Sequence, residues 1–316
     1  MRIVFMGTPE FAVPSLEILV KNGMDVVMVV TQPDKPKGRG YRVSFTPVKE
    51  CAMKYNIPVM QPEKIGSSDS VEQLKQLNAD LFVTCAFGQF LTQEVLDIPR
   101  FGTVNVHGSL LPKYRGAAPI QWAIINGEKK TGVTTMLTVL KMDAGDILLS
   151  KEIPINDDMT AGQLHDIMSV IGAELLLETI KGLENGSITP VPQNEAEATY
   201  APRIVRETGK INWEASATSI HNLVRGTDPW PGAYSYLKGQ RMRIWKTKVS
   251  DPDLITGKKP GTIIDVKKDL ISVQAGKGVI NILEIQCDSG KRMAVEQYLC
   301  GHDVKPGDCF EPEQLL

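Results

Sequence analysis

The spacing of apolar positions changes character along the chain. Residues 2–6 form a short apolar run, Gly7-Thr8-Pro9 interrupts it, and residues 11–22 carry apolar side chains at helical spacing. Residues 25–31 (DVVMVVT) are a continuous β-branched run, the pattern of a strand buried on both faces. The same reading predicts strands over 58–61, 80–86 and 103–106, and helices over 47–55, 71–77 and 119–126. Strands alternating with helices predict a parallel sheet with helices on both faces. Residues 132–139 and 147–155 read as two more strands. Residues 160–185 read as a long amphipathic helix, with Leu164, Ile167, Met168, Ile171, Leu175, Leu176 and Ile180 on one apolar face.

The pattern then shifts. Residues 187–206 carry Pro190, Pro192 and Pro202 among polar residues and read as a linker. One helix is predicted over 216–224. Five short strands separated by turn residues are predicted over 233–237, 241–249, 261–266, 270–274 and 279–285. Five short strands with one small helix suit a small barrel of the OB kind. The expected class is therefore α/β, with a Rossmann-like parallel-sheet N-terminal domain over residues 1–189, a linker over 190–208 and an OB-like β-barrel domain over 209–316. No internal repeat or low-complexity tract interrupts this plan.

Composition agrees with that size of fold. At roughly 150 residues per domain, the 316 residues fit two domains. The chain is 42% hydrophobic and 23% charged, with 35 basic against 37 acidic residues. That near-balance excludes a uniformly basic nucleic-acid coat and a disordered polyelectrolyte. The longest apolar run, LFVTCAFGQFL, holds a Gly and a Gln and falls short of a membrane span. MRIVFMGTPEF resembles neither a secretory signal nor a transit peptide, so a cytoplasmic location is expected. Five cysteines, odd in number and without a CxxC pair, argue against a disulfide framework or a zinc ribbon. Cys85 lies in an apolar strand-like run and reads as core.

Charge is unevenly spread. Residues 206–277 hold 13 Lys/Arg against 7 Asp/Glu, which makes a basic face on the start of the barrel domain plausible beside an ordinary solvated surface. Between Lys35 and Lys49 lie five basic residues and no acid: Lys35, Lys37, Arg39, Arg42 and Lys49. This segment follows a strand at its carboxyl end, where ligands bind in such sheets, and Gly38 and Gly40 predict a mobile loop. An acid-free basic loop suits a polyanion such as RNA; an exposed solvated loop is the plainer alternative.

The first strand–helix turn, FMGTPEFA, has one glycine where a dinucleotide site needs three, so NAD is not expected. Asn105 and His107 stand two apart at a strand end, so an amide and an imidazole emerge on one side. A histidine in that place alone is more often structural. Downstream, KMDAGDIL offers Asp143 and Asp146, either a partner for His107 or a turn residue. Spacing does not choose between the two.

MRIVFMGTPEFAVPSL, TQPDKPKGRG, NVHGSLLPKYRGAAPIQWAI, GVTTM…MDAGDIL and ATYAPRI closely resemble the methionyl-tRNA formyltransferase family of folate-dependent formyltransferases. The resemblance runs over nearly the whole chain. One departure is Lys141-Met142, where the family usually has Gly-Leu before the Asp. The resemblance implies transfer of a formyl group from 10-formyltetrahydrofolate to the α-amino group of methionyl initiator tRNA, with 1–189 as the catalytic domain and 209–316 as a tRNA-binding domain. It implies that Asn105 and His107 serve a developing oxyanion and that Asp143 holds His107 and takes up a proton. Ser109, Leu110, Leu111 and Pro112, with Phe87, Gly88 and Gln89, would line the folate pocket. Lys35, Lys37, Arg39 and Arg42 would meet the tRNA. No metal is expected, and nothing in the sequence requires a membrane or an obligate protein partner. Sugar-nucleotide and glycinamide-ribotide formyltransferases share the chemistry but lack the pairing of basic loop and barrel.

Overall fold

The computed structural model describes residues 1–37, 42–288 and 290–311, apart from the side chains of residues 36, 37, 42 and 43. Two compact units result. The first comprises Met1–Pro119, Lys130–Pro154 and His165–Ala201; the second comprises Ile120–Lys129, Ile155–Leu164 and the described chain from Pro202 onward.

The strands of the first unit are β1 (Arg2–Gly7), β2 (Asp25–Val30), β3 (Lys35–Lys37), β4 (Arg42–Ser44), β5 (Val59–Met60), β6 (Leu81–Cys85), β7 (Thr103–His107), β8 (Arg115–Gly116), β9 (Lys130–Leu137), β10 (Ile147–Pro154) and β11 (Tyr200–Ala201). Its chain also passes through helices α1 (Val13–Lys21), α2 (Pro47–Lys54), α3 (Ser68–Gln76), α4 (Gln93–Leu96), α5 (Pro119–Ile125) and α6 (Ala161–Glu184); most of α5 and the first turn of α6 belong to the second unit. The main sheet runs β10-β9-β7-β6-β1-β2-β5. Five strands, from β5 to β7, are parallel, and β9 and β10 add an antiparallel hairpin at one edge. The apolar runs dictate this: Ile3 to Met6 and Leu81 to Val83 are fully buried. Each such side chain contributes roughly 1.5–3 kcal/mol on leaving water. Helices start where caps allow, with Thr46 Oγ1 accepting from Lys49 N and Ser67 Oγ from Ser70 N.

In-register pairing of Met6 with Thr84 and Thr84 with Asn105 aligns the carboxyl ends of β1, β6 and β7. Thr8, Phe87 and His107 thus leave the sheet along one edge. Two segments are more ordered than their sequence suggests. The basic stretch is a hairpin, with Lys35 opposite Ser44 and Lys37 opposite Arg42; its tip, including Arg39, lies outside the described residues. The Pro-rich stretch expected to link domains carries a main-chain bridge from Val191 to Ile147, and β11 paired to β8. Its residues up to Ala201 belong to the first unit. Proline-rich composition hides this because the partners are long-range main-chain groups and buried side chains.

The second unit is built on α7 (Ala217–Gly226), β12 (Ala233–Leu237), β13 (Gln240–Asp251), β14 (Ile263–Val266), β15 (Ile271–Gln274), β16 (Val279–Cys287), β17 (Met293–Ala294), α8 (Val295–Leu299) and β18 (Phe310–Glu311). The antiparallel path is β14-β15-β16-β13-β12-β18, with β17 on β16. Its two ends meet: Ile263 N donates to Asp308 O, Gly307 N to Ile263 O and Phe310 N to Gly261 O, each at 2.8 Å. The sheet therefore curls closed around Trp213, Ile244, Ile271, Ile280, Ile282 and Phe310, the OB-like barrel expected from the strand spacing.

Candidate active site

The site is assembled where β7 ends. His107 is 6% exposed, and its Nε2 lies 3.0 Å from Tyr114 O. A carbonyl only accepts, so Nε2 carries the hydrogen of this bond. Its Nδ1 faces Asp143 Oδ1 at 3.7 Å, an ion-pair separation too long for a hydrogen bond. The other carboxylate oxygen, Oδ2, accepts from Gly116 N at 2.8 Å. Residues 114–116 therefore touch both partners, holding the imidazole through one carbonyl and the carboxylate through one amide. It is Asp143, not Asp146, that turns its carboxylate to His107; Asp146 accepts Leu137 N with its main-chain oxygen. Asp143 is also a turn residue, at φ +49°. The residue thus combines a turn conformation with a carboxylate 3.7 Å from the imidazole.

Asn105 stands one pleat below His107. Thr84 Oγ1 donates to its Oδ1 at 2.9 Å, which assigns the amide and leaves the Nδ2 hydrogens without a partner among the described residues. An amide donor and an imidazole so share the mouth of the strand, as their spacing predicted.

The loop after His107 is tied down internally. Ser109 Oγ donates to Lys113 O at 2.6 Å, Thr134 Oγ1 donates to Ser109 O at 2.7 Å, and Leu111 N donates to Thr134 Oγ1 at 3.2 Å. Leu110 packs over Gly132, where a Cβ would lie 2.5 Å from Leu110 Cδ2. Pro112 O accepts Thr199 N at 3.3 Å. At the end of β6, the Phe87 ring joins the core cluster, while its carbonyl accepts from Thr8 Oγ1 at 2.9 Å and Gln32 Nε2 at 3.2 Å. Gln89 spends its amide on Pro62 O and Ile65 N, and Gly88, at φ +86°, remains exposed between them. Cys85, in the core of β6, is a neutral thiol pushed up to about 12 by burial.

On the basic hairpin, Lys35 is exposed. Lys49 is not available to a ligand in the same way: it pairs with Asp34 and donates to Gln61 Oε1 at 2.7 Å, closing the hairpin's base. Arg39 lies outside the described residues, and for Lys37 and Arg42 only the backbone is described.

Three residues to which the sequence reading gave no role, Arg115, Gln193 and Glu195, form a chain of contacts of which Gln193 touches Asp143. Arg115 is fully buried, and its fork reaches Gln193 Oε1 at 2.8 and 3.1 Å and Glu195 at 2.9 and 3.2 Å. Gln193 Nε2 in turn donates to Asp143 O at 2.8 Å and Gly145 O at 2.7 Å. Lys141 meets Glu195 at 2.5 Å. The two cations, Arg115 foremost, hold the Glu195 carboxyl down to about 2. No periodicity marks these contacts, because Arg115 and Gln193 are 78 residues apart. Among the described residues no cluster of three or more His, Cys, Asp or Glu could hold a metal ion, and no helix is long and apolar enough to cross a membrane.

Comparison with known proteins agrees along the whole chain. Residues 1–180 match the Formyl transferase family model and residues 203–303 match that of the Formyl transferase C-terminal domain. A methionyl-tRNA formyltransferase of Acetivibrio thermocellus is 57% identical over 98% of this chain and 99% of its own length. One of Ruminiclostridium cellulolyticum is 50% identical over 98% of this chain and 99% of its own. Among solved structures, an N-formyltransferase of Helicobacter canadensis, in complex with folinic acid and dTDP-3-aminofucose, superposes with a TM-score of 0.69 at 22% identity, covering 89% of this chain and 98% of that one. At that identity the likeness is one of fold.

Proposed function

This chain belongs to the formyl transferase family, and from that premise we propose that it transfers a formyl group from 10-formyltetrahydrofolate to the α-amino group of methionyl initiator tRNA. The observation that carries the reading is the convergence of one amide, one imidazole and one carboxylate at the end of β7. Near-complete coverage by relatives of 50–57% identity, which bear the name of the tRNA enzyme, supports the acceptor.

The reaction joins the amine nitrogen to the formyl carbon and breaks that carbon's bond to folate N10. The amine sheds a proton and N10 gains one. Charge gathers on the formyl oxygen, so preorganised donors lower the barrier most. Asn105 Nδ2 is one such donor, aimed by Thr84. For His107 to be the other, Nδ1 must carry a hydrogen while Nε2 keeps its own on Tyr114 O, so the donating ring is a cation. The Asp143 carboxylate stands beside that ring nitrogen, 3.7 Å away. An attacking amine must be neutral, and free α-amino groups titrate near ~8; with both ring nitrogens carrying hydrogens, the proton it loses goes to the Asp143 carboxylate.

In this reading the main chain of Ser109, Leu110, Leu111, Pro112 and Gly88 meets the pteridine of the donor, and Phe87 and Gln89 hold the pocket's frame. Lys35, Lys37, Arg39 and Arg42 meet the acceptor end of the tRNA, while residues 209–316 hold its stem through phosphates. Residues 1–189 supply the chemistry, and the work belongs to the cytoplasm, where translation starts. The test is an acceptor assay. Purified protein and 10-formyltetrahydrofolate are offered Met-tRNA, free methionine, an amino sugar nucleotide and glycinamide ribotide. Formylation of Met-tRNA alone is expected; comparable rates on free methionine or on the sugar overturn the acceptor.

A further inference from the structure

We propose that residues 191–195 form a strap that sets the position of the Asp143 carboxylate, and that Gln193 is its positioning residue. The inference rests on the reaction assigned above and adds a residue to it. The strap grips the turn before β10 at every second residue. Val191 exchanges two main-chain hydrogen bonds with Ile147, at 2.8 and 2.9 Å. Gln193 Nε2 places one hydrogen on Gly145 O and one on Asp143 O. Glu195 takes Lys141. Asn194 is extended and Glu195 opens a short 3-10 helix, and from there the side chains of 193 and 195 reach the same turn.

The turn has little freedom of its own to hold this shape. Asp143 sits at φ +49°, outside the broad regions open to an L-residue. Gly145 runs so close to β9 that a Cβ would stand 1.7 Å from Leu137 O. Gln193 joins the two carbonyls that flank this contact. Its own oxygen is fastened by the buried Arg115, whose next residue, Gly116, donates to the Asp143 carboxylate. One amide side chain so connects the turn to the peptide that binds the carboxylate. A carboxylate 3.7 Å from the imidazole responds to small displacements; 1 Å of misplacement at a reacting group costs on the order of 100-fold in rate.

Two substitutions separate the roles. Gln193→Glu keeps the volume and the acceptor for Arg115 but replaces the donor amide by an oxygen facing two carbonyls. Gln193→Met removes both and keeps the length. Each variant is measured for kcat and for KM toward 10-formyltetrahydrofolate and Met-tRNA, alone and in an Asp143→Asn background. Amide exchange at Gly116 is followed in the substrate-free protein, because that hydrogen is donated to Asp143. Gln193→Glu is expected to lower kcat about 100-fold, with both KM values within about threefold. It should cost nothing further once Asp143 is Asn, since the strap acts through that carboxylate. Gly116 exchange should quicken at least about tenfold in both variants while β7 amides stay protected. Unchanged Gly116 exchange, or a kcat loss that persists in full beside Asp143→Asn, overturns the strap. Quickened Gly116 exchange in a protein whose wild type fails to formylate Met-tRNA leaves the strap standing and removes the acceptor instead.

Discussion

Among the described residues two arginines are buried, and they are buried on different terms. Arg115, in the first unit, is fully enclosed and has a carboxylate partner; the Glu195 contact raises its affinity for its proton despite burial. Arg225, near the end of α7 in the second unit, is 5% exposed and has only neutral acceptors: Asn222 Oδ1 at 2.8 and 3.0 Å, Asn156 O at 3.1 Å and Met159 O at 3.2 Å. There burial lowers the proton affinity of the guanidinium. A buried charge is tolerated when its hydrogens are all spent, whether on an anion or on carbonyls. What it does then depends on what else its partners hold. The partners of Arg115 hold the turn of Asp143; those of Arg225 hold the segment 156–159 to α7 and nothing that reacts.

Substitutions sharpen this contrast. The largest effect belongs to the groups that the Arg115 region serves: Asn105→Ala and His107→Ala should each lower kcat about 100- to 1,000-fold, the usual loss for one oxyanion donor. Steady-state kinetics with saturating folate check this, and near-normal turnover in both would detach the corner from the chemistry. Next is Arg225→Met, which strands three acceptors inside the second unit. It should lower stability by about 3 kcal/mol in denaturant unfolding of the full chain, with kcat within about threefold. A loss of kcat out of proportion to stability would erase the distinction between the two arginines.

Smaller again is Arg115→Lys. It keeps the charge but not the planar fork that serves Gln193 and Glu195 together. We expect a kcat decrease of about tenfold, on the scale of lost positioning partners, with KM little changed. The pH dependence separates the regions in another way. The Glu195 carboxyl is held at about 2, below its ordinary 4.5, by Arg115 and Lys141. A depressed carboxyl stabilises the fold above the ordinary value and loses that contribution as pH falls toward 2. Acid unfolding of Glu195→Gln should therefore be less steep between pH 4.5 and 2 than that of the wild type, whereas the Arg225 cluster, with no hydrogen-bonded carboxylate, should show no such difference on Asn222→Ser. The smallest effect on folding is expected at Arg39: Arg39→Ala should stay within about 0.5 kcal/mol of wild type yet weaken Met-tRNA binding and reduce its salt slope by about one.

The elements that the pattern of residues announced are those with a local cause. DVVMVVT read as a strand buried on both faces; β2 is there, but only Val29 and Val30 are buried in it, Val26 to Met28 are half-buried and Asp25 is exposed. The long stripe from Leu164 to Ile180 became α6, with Ile167 exposed rather than on the buried face. The pair Asn105 and His107 was legible because a strand repeats every two residues. The hairpin of β3 and β4 was not, since glycines and lysines carry no strand pattern and only pairing across the turn makes one. The strap over 191–195 was invisible for the same reason. Prolines and polar residues describe a linker until a buried guanidinium and two carbonyls take up their side chains.

Local periodicity and residue type were enough to determine a strand–helix sheet followed by a small barrel, and which polar side chains stand at the end of β7. Both follow from interactions a few residues long. Residue spacing left the choice of carboxylate open and the family resemblance implied Asp143; the geometry behind that choice belongs to the assembled fold. Asp143 and Asp146 share one short turn, and the choice between them lies with the Gly116 amide, 27 residues away, and the Gln193 side chain, 50 residues away. Hydrogen bonds of that reach depend on where the chain returns, and the return is set by burial over the whole unit rather than by any neighbour in the chain.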